Sequence, residues 1–163
     1  RLEAARLRRS GKGWWQGNEL LAWSGGWLVL ALASWAWLGV AGLLFFIAQG
    51  VVAACSLEII NYIEHYGLER RQLPDGRYER TTHLHSWNAD YALTNLLLFH
   101  LQRHSDHHAH AARRYQLLQH HPESPQLPGG YASMFVLALF PPLWFRVIDP
   151  RLHAWRAESA ATH

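Results

Sequence analysis

The chain has 163 residues; 50% are hydrophobic, 13% aromatic and only 17% charged, with a net charge of +3 when His is counted neutral. This length suits one domain with a real core, and the apolar content excludes an intrinsically disordered chain. The single cysteine, Cys55, excludes a disulfide framework, a four-cysteine zinc site and an iron–sulfur site, and the mild positive charge makes no case for nucleic acid as a partner.

Residues 1–19 are basic and polar, with Arg1, Arg6, Arg8, Arg9 and Lys12 set against Glu3 and Glu19. Residues 20–57 then contain no Asp, Glu, Lys or Arg. As one helix that run would measure roughly 57 Å, nearly twice a hydrocarbon core of roughly 30 Å, whereas two short crossings fit. Gly39 and Gly42 supply the turn, which predicts a transmembrane hairpin with helices over 20–38 and 42–64. Both ends of such a hairpin lie on one side. The arginines at 1–12 and the charges after Glu69 mark that side as cytoplasmic, and Trp14, Trp15 and Trp23 suit an interfacial belt. The competing reading, a buried hairpin in a large soluble protein, is disfavoured by the length of the uncharged run.

Residues 69–82 are polar and carry the turn signal Pro74-Asp75-Gly76, which predicts a surface hairpin or loop. Helical spacing without Pro or Gly predicts a helix from Tyr91 to about Leu118, with Asp90 as a candidate N-cap. Three Pro and two Gly over 121–130 must end it. Residues 131–148 are apolar, and Pro141-Pro142 predicts a helix to about Phe140 followed by an interfacial segment with Trp144 and Phe145. The reading is thus an all-α integral-membrane chain: a cytoplasmic basic segment (1–19), a transmembrane helical hairpin (20–64) and a cytosolic His-rich helical metal-binding region with an interfacial segment (65–163).

Seven of the twelve His lie within 83–110. On a helix His104, His107 and His108 share one face, with His100 a turn earlier. Three imidazoles crowded together repel when protonated and present convergent lone pairs when neutral, which points to a metal. All-imidazole ligation suits zinc, copper, iron or nickel, and the spacing does not choose among them. At the end of the second apolar helix Glu58, Asn61 and His65 share a face, and an ionisable group at that depth carries a functional reading. Glu64, His85 and Asp106 are candidates to orient a ligand from its other nitrogen. His83, His110, His120, His121, His153 and His163 read as ordinary surface residues. No HExxH motif, nucleophile elbow or phosphate-binding glycine loop is present in the sequence.

Asn61–Leu68 (NYIEHYGL), His85–Asn88 (HSWN) and Leu101–Ala109 (LQRHSDHHA) resemble the integral-membrane alkane hydroxylases, the bacterial alkane 1-monooxygenases. Gly76–Arg80, Arg113–Gln116, Pro125–Tyr131 and Pro141–Pro150 extend the resemblance over most of the chain. It implies hydroxylation of the terminal methyl of n-alkanes to 1-alcohols by O2 at a non-haem site of two iron ions, with electrons from rubredoxin. It further implies His65, His104, His107 and His108 as iron ligands, alkane arriving through membrane lipid, and a bacterial inner-membrane location with the metal on the cytoplasmic side. Arg70, Arg71, Arg77, Arg80, Arg113 and Arg114 would dock an acidic redox partner or contact headgroups. Two further His motifs of that family, of the forms HExxHK and EHxxGHH, are not in this sequence. Together with a start at Arg1 and a lone Met134, this gives the expectation of a C-terminal portion that is inactive by itself. The alternatives are a related xylene or fatty-acyl hydroxylase or desaturase, and a non-catalytic His-rich metal-binding membrane protein.

Overall fold

In a computed structural model, which describes residues 2–161 and so leaves out Arg1, Thr162 and His163, the chain divides into two compact units, Arg1–Cys55 and Ser56–His163. The described residues form six α-helices and two 3-10 turns, with isolated bridges but no strands.

The first unit holds α1 (Leu2–Arg9) and most of α2 (Glu19–His65). Helix α2 is the one described helix long and apolar enough to cross a membrane, and only 6% of its most apolar stretch is buried within the chain. Apolar all round and unburied within the chain, it has the length and composition of a membrane span. It is not one straight rod. Gly39 has φ 65° and ψ −158°, a region open essentially to glycine alone, and divides α2 into segments 19–38 and 40–65. Residues on either side of the break face each other. The rings of Trp27 and Phe46 lie 5.6 Å apart, and a Cβ at Gly42 would stand 2.6 Å from the Ser34 carbonyl oxygen.

The second unit packs the end of α2 against α5 (Tyr131–Ala138) and α6 (Pro141–Ala161) around Ile63, Trp87, Tyr131, Met134, Trp144, Ile148 and Leu152. Helix α2 stops at Gly67, whose φ of +69° gives the left-handed C-terminal turn. A Cβ there would meet Leu152 Cδ2 at 2.1 Å, so helix end and core contact demand the same residue. The predicted turn at 74–76 sits in a small hairpin, with the Leu73 amide donating to Arg77 O at 2.7 Å and Gln72 bridged to Tyr78.

Three expectations are corrected. The helix predicted from Tyr91 to Leu118 is broken into α3 (Ala92–Leu97), α4 (His104–Ala109) and a 3-10 turn (Tyr115–Leu117). The break lies at Phe99 and His100, which take positive φ of 50° and 59°. The fully buried Gln102 supplies the alternative hydrogen bonds: its amide donates to Tyr91 O (2.8 Å) and its carbonyl accepts from Thr94 Oγ1 (2.7 Å). Asp90 does not cap α3. Tyr91 occupies that position, and Asp90 Oδ1 accepts from Asn95 Nδ2 and Arg103 Nε instead. Pro141-Pro142 starts a helix rather than preventing one, because the first turn has no intrahelical acceptor for the missing N–H groups. Trp144 is accordingly fully buried, not interfacial. Long irregular connections join the short helices of residues 65–163.

Candidate metal centre

Helix α4 is short and His-bearing, and its own side chains cannot hold it. The segment Ser86-Trp87-Asn88-Ala89 holds it from one side. The Trp87 amide donates to Glu64 O (2.8 Å) and its indole to Tyr66 O (2.8 Å), tying the segment to the end of α2. Asn88 pairs with Pro125 and Leu127 through its backbone, its side-chain oxygen accepts from the buried Ser105 of α4 (2.9 Å), and the Ala89 amide donates to Gln102 O. The HSWN motif is therefore the brace between α2 and α4.

Asp106 holds the opposite side of α4. It is fully buried and accepts from Arg113 Nη1 with both oxygens (2.7 and 2.6 Å), from the Gln119 amide (3.0 Å), and from ring nitrogens of His121 (3.0 Å) and His110 (3.1 Å). Burial alone would raise its pKa, but the Gln119 amide, His121 and Arg113 together hold the carboxyl well below the usual carboxylate range.

With α4 fixed, His104 and His108 face His65, the last residue of α2. Nε2 of His108 lies 3.3 Å from Nε2 of His65, and the rings of His104 and His108 are 4.6 Å apart. The three residues each offer a nitrogen within 4.8 Å of the others. Burial pushes His104 down to about 3, helped by the neighbouring His108, His65 and His107, and burial with His65 and His107 pushes His108 down to about 4. Both rings are thus neutral at pH 7, the state in which imidazole binds a metal.

The remaining expected residues fall as follows. His107 lies next to the group but is exposed, its ring 5.6 Å from His104 and 6.4 Å from His108; the 100° step of the helix turns it to the other flank of His104. Glu64 is buried, with Oε2 3.3 Å from His104 Nε2. His85 ends a 3-10 turn (His83–His85) that packs on α4, and its Nδ1 accepts from the Thr82 amide, which leaves Nε2–H to donate to Glu79. Glu58 and Asn61 are exposed and stand outside the group. His100 leaves it too, since the positive-φ break turns its ring to the Tyr115 carbonyl (3.1 Å). Sequence reasoning missed Tyr131. Its hydroxyl is buried against the Glu64 carboxyl, and burial, then that carboxyl, raises its pKa well above the ordinary value. It also missed His121, which no local pattern connects to Asp106.

The donor set fits a transition metal. Three imidazoles converge, and beside them the buried Glu64 carboxyl and the Tyr131 hydroxyl lie against each other. Converging imidazole nitrogens with a buried carboxyl beside them are the donor chemistry of a transition-metal site.

The family model described as fatty acid desaturase matches residues 1–138. The chain is 57% identical over 96% of its length to alkane 1-monooxygenase 2 of Pseudomonas aeruginosa, and 47% identical over 93% to alkane 1-monooxygenase of Acinetobacter baylyi. To the xylene/toluene monooxygenase hydroxylase component of Pseudomonas putida it is 34% identical over 95%. It spans 42%, 37% and 41% of the length of these relatives.

Proposed function

The chain belongs to the fatty acid desaturase family, and from that premise we propose that it is the metal-binding C-terminal portion of a membrane non-haem diiron monooxygenase that hydroxylates the terminal methyl of n-alkanes. The observation that carries this reading is the His65–His104–His108 group at the end of an apolar helix. The higher identity to proteins named alkane 1-monooxygenase than to the xylene/toluene relative favours alkane as substrate.

His65, His104 and His108 would hold iron, with His107 as the fourth ligand from this chain. Four imidazoles do not complete a two-iron site, so the full-length enzyme would draw the other donors from elsewhere in its sequence. Bound iron would supply the O2 chemistry needed to break a strong C–H bond with no polar handle. The chain's own residues do the rest. Burial keeps His104 and His108 unprotonated and ready to ligate. Asp106 fixes the pitch of α4, so that the ligating nitrogens do not have to be ordered when iron binds. Glu64 and Tyr131 place a carboxyl and a hydroxyl side by side, buried next to His104, where they can hold a proton. Alkane partitions into lipid, so a site at the end of a membrane helix would receive it without its crossing water.

Electrons would come from rubredoxin, an acidic partner suited to the arginines. Their number is reduced by internal pairing: Arg71 binds Glu79, Arg77 binds Asp75 and Arg113 binds Asp106. Arg70, Arg80 and Arg114 make no ion pair among the described residues and are the docking set. The site would face the cytoplasm from the inner membrane, where rubredoxin is reduced.

The test is product analysis with full-length protein, rubredoxin and its reductase, offering octane, xylene and a fatty-acyl substrate separately. 1-Octanol as the main product is expected. Methyl hydroxylation of xylene or desaturation of the acyl chain with no octanol would overturn the substrate, and one zinc per chain with no oxidised product would overturn the enzyme.

A further inference from the structure

A second nitrogen- and oxygen-bearing cluster lies on the loops beside α4. His83, on the 3-10 turn, stacks its ring on His121, with centroids 4.8 Å apart and planes 12° from parallel. Both rings address one oxygen of Glu123: His121 Nδ1 at 2.8 Å and His83 Nε2 at 3.4 Å. The other nitrogen of His121, Nε2, lies 3.0 Å from Oδ1 of the fully buried Asp106. We propose that His83, His121 and Glu123 form a second metal site, separate from the His65 group, that takes a divalent transition ion of the zinc class.

Several features argue for this over a plain ion pair. The donor atoms all lie within 4.8 Å of one another. Ligands about 2.0–2.1 Å from a tetrahedral ion stand roughly 3.4 Å apart, which is the His83–Glu123 separation. The closer His121–Glu123 pair is a hydrogen bond whose proton an ion would replace. Glu123 has a half-exposed side chain on a loop and can widen by the few tenths of an ångström required.

Carboxylate–histidine–metal chains are the usual second support of a metal site, and Asp106 supplies one here: it holds Nε2–H of His121 and so directs Nδ1 at the ion. Asp106 is itself fixed by Arg113 and the Gln119 amide, so this support does not move with the loop. A donor set of two nitrogens and one oxygen favours zinc, cobalt or copper over calcium or magnesium, which take oxygen shells. Three protein ligands leave one position for water, as the exposure of Glu123 requires.

The test uses full-length, iron-loaded protein dialysed against zinc, with zinc and iron counted per chain in the same sample. One further equivalent of zinc, with iron unchanged, is expected. His83→Ala and Glu123→Gln should each weaken that equivalent about tenfold or more while iron content and melting temperature stay at wild-type values. Cobalt in place of zinc should give the intense visible bands of a tetrahedral ion in wild type and lose them in both variants. No additional equivalent, zinc gained only as iron is lost, or an additional equivalent retained by both variants would overturn the proposal. If His83→Ala fails to fold, Glu123→Gln decides. Iron and zinc are measured separately, so failure of the His65 centre and failure of this site give different results.

Discussion

Replacing Asp106 by Asn tests whether the His-bearing helix is held from behind. Every group around the Asp106 carboxylate is a donor: Arg113, the Gln119 amide, His121 and His110. An amide keeps one acceptor oxygen but points an NH2 at this shell, and it leaves Arg113 without its ion-pair partner. Breaking a buried pair from one side costs about 3–5 kcal/mol. Arg113 is only a quarter exposed, so water returns little of that. At about 1.4 kcal/mol per decade, the open state of α4 should gain two to three and a half decades in population. The matched control is Asp90→Asn. Asp90 also pairs with an arginine, Arg103, but its own carboxylate is 32% exposed where that of Asp106 is 0% exposed, and the loss should stay near about 1 kcal/mol. Hydrogen exchange of the amides in residues 104–110 of the full-length protein reads the local opening directly. Equal acceleration in the two variants would refute the bracing role of Asp106.

Two other outcomes follow from the same structure. His104 and His108 are depressed to about 3 and about 4, so the unfolded chain, with His near 6.5, takes up protons first. The stability that these two unprotonated rings contribute to the metal-free full-length protein is therefore fully present above about pH 6.5 and lost progressively as pH falls toward about 4; a melting-temperature difference between wild type and His108→Ala that does not change across that window would contradict the burial of the ring. Gly67→Ala should destabilise by at least about 1–2 kcal/mol, the cost of the left-handed backbone, with the Leu152 overlap added, and a melting temperature equal to wild type would show that the α2 end can relax.

What could be read from the sequence follows physical range. The apolar run and the break at Gly39 are local signals, charge and glycine, and both are present in the fold. The His104/His108 pair is also local, since i and i+4 share a face on any helix, and α4 is long enough to bring these two together although it has only six residues. The long helix expected around it failed because its competitor was not local: Gln102 draws its partners from Tyr91 and Thr94, and two residues take positive φ to let it do so. The proline pair failed for a different reason, since Pro reads as a helix breaker or a helix starter according to where the helix begins. His121 looked like a surface residue because its partners, His83 and Asp106, are supplied by other parts of the chain. His65 belongs with α4 only through contacts some forty residues apart in sequence, which the NYIEHYGL resemblance suggested and helical periodicity did not.

The central claim is that nitrogen donors from the end of α2 and from α4 hold one iron centre together. Iron counted per chain in full-length His65→Ala, His108→Ala and His100→Ala measures it directly. Loss of most iron from the first two, with His100→Ala at the wild-type value, is the result this account predicts; wild-type iron in His65→Ala and His108→Ala would contradict it.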